Sequence, residues 1–268
     1  MIEALQFEFM RNALMAGLLA SVICGVIGTL VVVNRIVFLS GGIAHAAYGG
    51  IGLAFFLGIP YLVGTLGFAI AAAMLMAYVT VTARHRADTV IGVIWSVGMA
   101  VGVILIDLTP GYQVDLMSYL FGSILAVPGS DLLVMLAVGA GVLCVVIWYY
   151  NSFLSMSYDA EFAQLRGVAV NRLFFIMIGM IAVSVVIIMR VVGLILVIAL
   201  LTIPPYIAEK YSKSLVHMMI FSTILSLVFT VGGLWLSYQF NLTSGPCIIL
   251  LAGVGFFLSL FAEKLRSS

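Results

Sequence analysis

The sequence predicts an all-α polytopic membrane protein, a helix bundle with about eight or nine transmembrane helices. Hydrophobic residues make up 65% of the 268 residues and only 8% are charged, whereas an average soluble domain is about 25% charged. So few charges cannot cover a water-facing globule of this size. This excludes an ordinary cytosolic enzyme, a nucleic-acid-binding protein and a disordered chain. We expect one transmembrane domain over residues 1–268, lying in the lipid bilayer of the cell membrane.

Long apolar runs mark the spans, because a hydrocarbon core of about 30 Å needs roughly 20 helical residues. From Leu173 to Ala208 the only charged residue is Arg190. A straight helix of that length would exceed the thickness of the membrane, so we expect a turn at residues 190–193. The predicted spans are residues 9–33, 36–58, 61–82, 89–108, 131–150, 172–189, 191–208, 215–238 and 245–262.

The distribution of basic residues predicts the orientation of the bundle. If the connection 151–171 is cytoplasmic, every Lys and Arg except Arg11 and Arg190 falls on the cytoplasmic side. The N-terminus is then outside and the C-terminus is cytoplasmic. The stretch 113–127 is apolar but short and is bounded by Pro-Gly pairs, so it predicts a re-entrant or interfacial helix on the outer side.

His45 is the clearest ionisable residue inside a predicted span. Gly41, His45, Gly49 and Gly52 recur at helical spacing and share one face. Glycines allow a helix or a polar pathway to approach closely. An imidazole beside such a groove could bind zinc, manganese or iron. A histidine that is hydrogen-bonded to a neighbouring helix, with the glycines serving packing, is the alternative.

Two acidic residues at span ends are weaker candidate metal ligands. Asp107 precedes a Pro-Gly turn at the outer end of its span and is either a ligand at the mouth or a solvated acid. Glu209 follows Pro204-Pro205 near the inner end of its span. The prolines should disturb the helix and free carbonyl groups, which could form an exit. An interfacial pair of Glu209 with Lys210 is the alternative.

The long cytoplasmic connection predicts a short helix of its own at residues 157–168. Ser157 or Asp159 can cap its start, and Gly167 suits its end. An apolar ridge with a small residue beside it suits docking into a groove of another protein, although an interfacial linker could have the same pattern. The candidate partner-binding residues are Asp159, Glu161, Phe162, Ala163, Leu165 and Gly167.

Six sequence blocks, in order, resemble the permease subunits of ATP-binding-cassette importers for zinc, manganese and iron. The resemblance covers nearly the whole chain. The block at 158–168 is similar to the coupling-helix signature of that family, with an Asp, an acidic residue, an Ala and a Gly in this order. The other blocks are Leu39–Ala46, Ala87–Ser96, Tyr119–Leu125, Val192–Pro204 and Thr243–Pro246.

This resemblance implies a transport subunit that is not itself an enzyme and holds no permanent cofactor. An extracytoplasmic solute-binding protein would deliver the divalent metal, and two copies of the permease would form the pathway. Two cytoplasmic ATPase subunits would bind ATP and act through the helix at 157–168. The sequence contains no Walker A motif of its own.

One departure from the family bears on the metal ligands. Many members carry an Asp four residues before the histidine, where this chain has Gly41. His45 would then act with fewer protein ligands, with residues of another span or with His45 of the second copy, or the solute would differ. A permease for a metal chelate of the cobalamin or siderophore type is the alternative function, although such relatives are usually longer. An intramembrane protease would need an HExxH motif or paired acids inside the membrane, and the sequence shows neither. A proton-coupled carrier would need several acidic residues in the middle of its spans, whereas nearly all the acids here lie at span ends or in loops.

Overall fold

The structure is a computed structural model, and it describes residues 6–83, 86–110, 120–122 and 124–267. These ranges contain eleven α-helices and one 3-10 turn, Ile124–Ala126. Within them, nine helices are long and apolar enough to cross a membrane. The all-helical prediction and the upper value of the predicted span count are therefore confirmed.

The helices follow the predicted spans closely, with ends that differ by a few residues. Two shorter helices, α6 and α7, occupy the connection that was predicted to be cytoplasmic. The helices are α1 Glu8–Val33, α2 Val37–Leu57, α3 Tyr61–Thr82, α4 Ala87–Asp107, α5 Gly129–Trp148, α6 Tyr150–Tyr158, α7 Ala160–Leu165, α8 Val170–Val192, α9 Leu194–Tyr211, α10 Leu215–Phe240 and α11 Ser244–Ser267.

The predicted turn between α8 and α9 is confirmed. Helix α8 ends at Val192, and α9 begins at Leu194. The residue between them, Gly193, has φ of 87°, a left-handed value that a residue with a Cβ adopts only with strain. The backbone of Gly122 also lies against Val192 and Gly193, where an added Cβ would meet main-chain atoms. A glycine is therefore required on both sides of this crossing.

The double proline does not interrupt α9. The helix continues through Pro204 and Pro205 to Tyr211, and the Thr202 hydroxyl donates to the carbonyl of Ile198 at 2.8 Å. Because proline has no N–H, the carbonyls one turn earlier lose their usual helical donors. Two carbonyls are therefore without helical donors, and the helix that the prolines were expected to disturb continues past them.

Part of the predicted re-entrant helix at 113–127 lies outside the described residues, as do Arg84 and His85 of the predicted cytoplasmic connection. Within the described part, the chain forms the 3-10 turn Ile124–Ala126, in which Ile124 is buried. Nearby, the Asn12 side-chain amide of α1 donates to the carbonyl of Val127 at 3.1 Å.

The chain divides into two compact units. The first comprises Met1–Arg35, Met117–Cys144 and Ile187–Ser268. Within it α1 packs against α9 and α10. At Gly28 a Cβ would lie 2.6 Å from the carbonyl oxygen of Leu201, which is one of the two carbonyls freed by the prolines. The absence of a side chain at Gly28 therefore permits the close contact between α1 and α9.

The second unit comprises Ile36–Leu116 and Val145–Val186. Its centre is α2, which packs against both α3 and α4. Gly50 of α2 faces the backbone of Thr65 on α3, where an added Cβ would lie 2.6 Å from its Cα. Helices that lack bulky side chains at their contact can bring their backbones together in this way. This unit also contains His45 and the helix predicted to bind a partner.

Candidate functional site

The elements around His45 are held together by glycine contacts between α2 and α4. A Cβ at Gly49 would lie 2.9 Å from the carbonyl oxygen of Gly98, and a Cβ at Gly52 would lie 2.7 Å from the Cα of Gly102. Gly98 and Gly102 are spaced as a GxxxG pair, so both lie on the face of α4 that meets α2. This crossing fixes the distance between the two helices next to His45.

The imidazole of His45 stacks on the indole of Trp95 from α4. Their ring centroids are 4.5 Å apart and their planes differ by only 7°. Phe38, which lies two turns before His45 on α2, also contacts Trp95, with centroids 5.8 Å apart. The three rings form a continuous aromatic cluster at the α2–α4 contact. Helical spacing could not indicate this cluster, because Trp95 is distant from His45 along the chain.

His45 is half-buried, and its Nδ1 atom is buried without a hydrogen-bond partner in the described part of the chain. The alternative interpretation of the sequence, a hydrogen bond to a neighbouring helix, is therefore not realised at this nitrogen. A buried polar atom without a partner carries a desolvation cost. At Nδ1, therefore, no hydrogen bond from the described residues holds the imidazole in place.

The predicted glycine face divides into two parts with different environments. A Cβ at Gly41 would meet nothing within 4 Å, whereas Gly49 and Gly52 are closed against neighbouring helices. Open space therefore lies one turn before His45 on the same face of α2. This is the position at which many members of the resembled family carry a carboxylate.

The described residues contain no group of three or more His, Cys, Asp and Glu side chains that could hold a metal ion. Asp107 is exposed at the end of α4, 12 residues beyond Trp95, which is about 18 Å along the helix. The geometry does not bring Asp107 to the His45 ring. Glu209 is exposed in the last turn of α9.

Lys210 pairs with α11 rather than with its neighbour Glu209. Its Nζ lies 2.7 Å from a carboxylate oxygen of Glu263 and 5.0 Å from the centroid of the Tyr206 ring. The alternative interpretation, an interfacial Glu209–Lys210 pair, is thus replaced by an ion pair between helices. This pair joins the ends of α9 and α11.

A second ion pair joins Arg190 of α8 to Asp131 of α5, with 3.1 Å between Nη2 and Oδ1. The Asp131 side chain is 11% exposed and that of Arg190 is 35% exposed. The charge distribution predicts Arg190 on the outer side but indicates no partner for it. The sequence did contain a signal for this pair, because Asp131 and Arg190 have opposite charges and both lie at the ends of spans. Arg190 was also one of the two basic residues that did not fall on the predicted cytoplasmic side.

The partner-binding segment contains two helices instead of the single one predicted at 157–168. Helix α6 ends at Tyr158, and Asp159 caps α7 by accepting a hydrogen bond from the Phe162 N–H at 2.9 Å. At the other end Gly167 has φ of 84°. The Val168 N–H donates to the Ala163 carbonyl at 3.0 Å, as expected for a Schellman motif. Both predicted end signals are present, although the helix is shorter than predicted.

The side chains of α7 have very different exposures. Leu165 is 87% exposed and Phe162 is 53% exposed, as is typical of a surface that meets another molecule or the lipid headgroups. Arg166 lies over the Phe162 ring, 5.2 Å from its centroid. Ala163 is fully buried, so it faces the interior of its own chain and not the apolar ridge.

The sequence profile described as "ABC 3 transport family" matches residues 6–263. The chain belongs to the ABC 3 transport family. This match includes α2 with His45 and the whole of α6 and α7, so the candidate residues lie within the part that defines the family.

Relatives in this family match the chain along almost its full length. A membrane protein of Synechocystis sp. is 46% identical over 97% of this chain and 92% of its own length. The manganese import system permease protein ScaB of Streptococcus parasanguinis is 33% identical over 98% of this chain and 94% of its own.

Solved structures share the fold. The structure of PsaBC from Streptococcus pneumoniae in complex with Fab has a chain that is 31% identical, with a TM-score of 0.87 over 96% of this chain and 93% of that one. An inward-facing ABC transporter described as of the metal-chelate type is 16% identical, with a TM-score of 0.71. At that identity the similarity shows the fold alone.

Proposed function

We propose that this chain is the membrane-spanning permease subunit of an ATP-driven importer of a divalent metal ion, with manganese as the first candidate. The observation that carries this proposal is its similarity, over 98% of its length, to a permease whose name states manganese import. Two copies of the chain form the pathway. Two cytoplasmic ATPase subunits hydrolyse the ATP, and an extracytoplasmic solute-binding protein supplies the metal.

His45 contributes an imidazole ligand along the pathway. Neutral imidazole is a ligand for manganese, iron and zinc, and the half-buried ring, with open space one turn away at Gly41, supports this role. One histidine cannot complete a coordination shell, so water or His45 of the second copy supplies other ligands. The open space at Gly41 leaves room for them. An incomplete protein shell holds the ion weakly, which favours its release after entry.

Helix α7 is the docking element for an ATPase. Its exposed Leu165 and Phe162 form the apolar contact, and the cap at Asp159 and the stop at Gly167 keep the helix short and rigid. Glu161 lies in the first turn, where its charge favours the helix dipole. The buried Ala163 supports docking indirectly, because a larger side chain would push α7 away from its own unit.

Metal uptake by the reconstituted complex tests the proposed transport function. Uptake of radioactive Mn²⁺ into proteoliposomes that contain the permease, its ATPase and the loaded binding protein should depend on ATP. His45→Ala should reduce uptake by roughly tenfold or more, in line with the loss of a metal ligand. His217→Ala is the matched control, because His217 is exposed at the start of α10. Equal uptake by the wild type and His45→Ala would remove His45 from the pathway.

Pull-down of the ATPase tests the role of α7. Leu165→Arg places a charge on the apolar contact and should abolish retention of the ATPase, while the protein still folds because Leu165 is 87% exposed. Leu242→Arg, at a residue 56% exposed between α10 and α11, is the control. Retention of the ATPase by Leu165→Arg would contradict docking at this helix.

A further inference from the structure

We infer that Trp95 is a positioning residue that holds the His45 ring in the plane in which the transported cation meets it. This inference rests on the proposed function, because it needs a cation at His45. It assigns to Trp95 of α4 a part in the site that its distance from His45 along the chain does not indicate.

His45 lacks the usual restraint on a metal-binding histidine. Such a histidine normally donates its second ring N–H to a carboxylate, a carbonyl or water, which fixes the orientation of the ring. Here Nδ1 of His45 is buried and has no hydrogen-bond partner among the described residues. A cation would therefore meet Nε2, and the ring orientation needs another restraint.

Stacking on Trp95 supplies this restraint. Rotation of an imidazole about χ2 is soft, with broad minima. A parallel contact at 4.5 Å and 7° with Trp95 allows the ring to slide but resists rotation out of its plane. The electron-rich face of the indole also favours an imidazole whose electrons are withdrawn by a bound cation. The contact thus becomes stronger when the metal is bound.

Trp95 is itself held in place by its neighbours on α4 and α2. Gly98 and Gly102 follow Trp95 at helical spacing on α4, and both pack against the backbone of α2. Phe38 also contacts the indole, with ring centroids 5.8 Å apart. The same close helix crossing therefore sets the position of the tryptophan and of the histidine it contacts.

Transport kinetics of Trp95→Leu and Trp95→Phe test this inference. Loss of an orienting partner typically costs about 10–100-fold in metal affinity, so Trp95→Leu should raise the KM for Mn²⁺ uptake by roughly tenfold with a much smaller effect on the maximal rate. Trp95→Phe preserves a flat ring and should restore most of the affinity. A merely structural role would lower the amount of folded protein in both variants without a selective change in KM.

Fluorescence gives a second readout that does not need transport. In the full chain with Trp148→Phe and Trp235→Phe, Trp95 is the remaining tryptophan. Addition of Co²⁺ to this chain in lipid nanodiscs should quench its emission, and His45→Ala should abolish the quenching. Unchanged quenching in the His45→Ala chain would overturn the inference.

The failures of the two proposals are distinguishable. If His45→Ala leaves uptake unchanged, the proposed pathway role of His45 fails. If His45→Ala stops uptake while Trp95→Leu leaves the KM within about twofold, the pathway role holds and the positioning role of Trp95 is wrong.

Discussion

Gly41 and Gly52 have opposite environments, although both lie on the predicted face of His45 on α2. Gly41 faces open space, whereas the backbone of Gly102 occupies the place that a side chain at Gly52 would need. The same amino acid therefore serves two purposes within a few turns. One glycine leaves space beside the candidate ligand, and the other allows α4 to approach.

Replacement of each glycine with alanine should change stability in opposite directions. Gly41→Ala should stabilise the protein by up to about 1 kcal/mol, because alanine is the better helix former. Gly52→Ala should destabilise it by roughly 1–3 kcal/mol, because its Cβ overlaps the α4 backbone. Thermal unfolding in detergent measures both changes. A loss of stability at Gly41 would show that the open space is filled in the assembled protein.

A carboxylate at position 41 should strengthen metal binding. Gly41→Asp places an acid one turn before His45, where its Cβ meets nothing within 4 Å. A carboxylate and an imidazole on one face form a better site for Mn²⁺ than the imidazole alone, so the KM for Mn²⁺ uptake should fall. Gly41→Asn is the neutral control of equal size. Equal KM values for the two variants would rule out a contribution of the carboxylate to binding.

Helix α7 depends on local signals that the sequence shows. The crossing of α2 and α4 depends on tertiary contacts that the sequence does not show. Asp159 and Gly167 act within a few residues of their own positions, through a capping hydrogen bond and a left-handed turn. Such signals are legible without knowledge of the fold. The aromatic cluster on α2 and α4 depends on how two helices cross.

Removal of the cap should loosen α7 without unfolding the bundle. Asp159→Ala removes the acceptor of the Phe162 N–H, which typically costs about 1 kcal/mol of helix stability. ATPase activity in the reconstituted complex should become less dependent on the loaded binding protein, while the melting temperature changes little. Asp159→Asn, which can still cap, is the control. If the loaded binding protein stimulated the ATPase activity of Asp159→Ala as strongly as that of the wild type, the cap would have no part in coupling.

The ion pair between α5 and α8 should contribute a small coupling energy. Asp131 is nearly buried but the Arg190 side chain is 35% exposed, so solvent screening limits the net attraction to about 1 kcal/mol or less. A double-mutant cycle with Asp131→Ala and Arg190→Ala, followed by unfolding in detergent, isolates this term. Strictly additive effects of the two changes would show that the pair contributes nothing to stability.

For the whole molecule, nine candidate spans in the described residues predict termini on opposite sides of the membrane. The basic residues favour a cytoplasmic C-terminus, with α6 and α7 on the same side. This arrangement is what docking of an ATPase at α7 requires.

Reporter fusions check the orientation. A fluorescent protein fused after Ser268 should fold and fluoresce in the cytoplasm, and alkaline phosphatase fused there should be inactive. The same phosphatase inserted between α10 and α11, after Asn241, should be active. Activity of the phosphatase at the C-terminus would show that the orientation is the reverse of the predicted one. Helix α7 would then lie on the side of the membrane opposite to the ATPase.

The sequence by itself predicted eight or nine spans, a turn at residues 190–193, the end signals of α7 and the resemblance to the family. Each follows from composition, length or signals within a few residues, because apolar runs must match the membrane thickness and helix ends need local partners. Only the tertiary structure decided that Trp95 stacks on His45, that Asp131 pairs with Arg190 and that Ala163 faces inward. These contacts join residues that are distant along the chain or depend on which way a helix is turned, and helical spacing alone specifies a face without specifying what covers it.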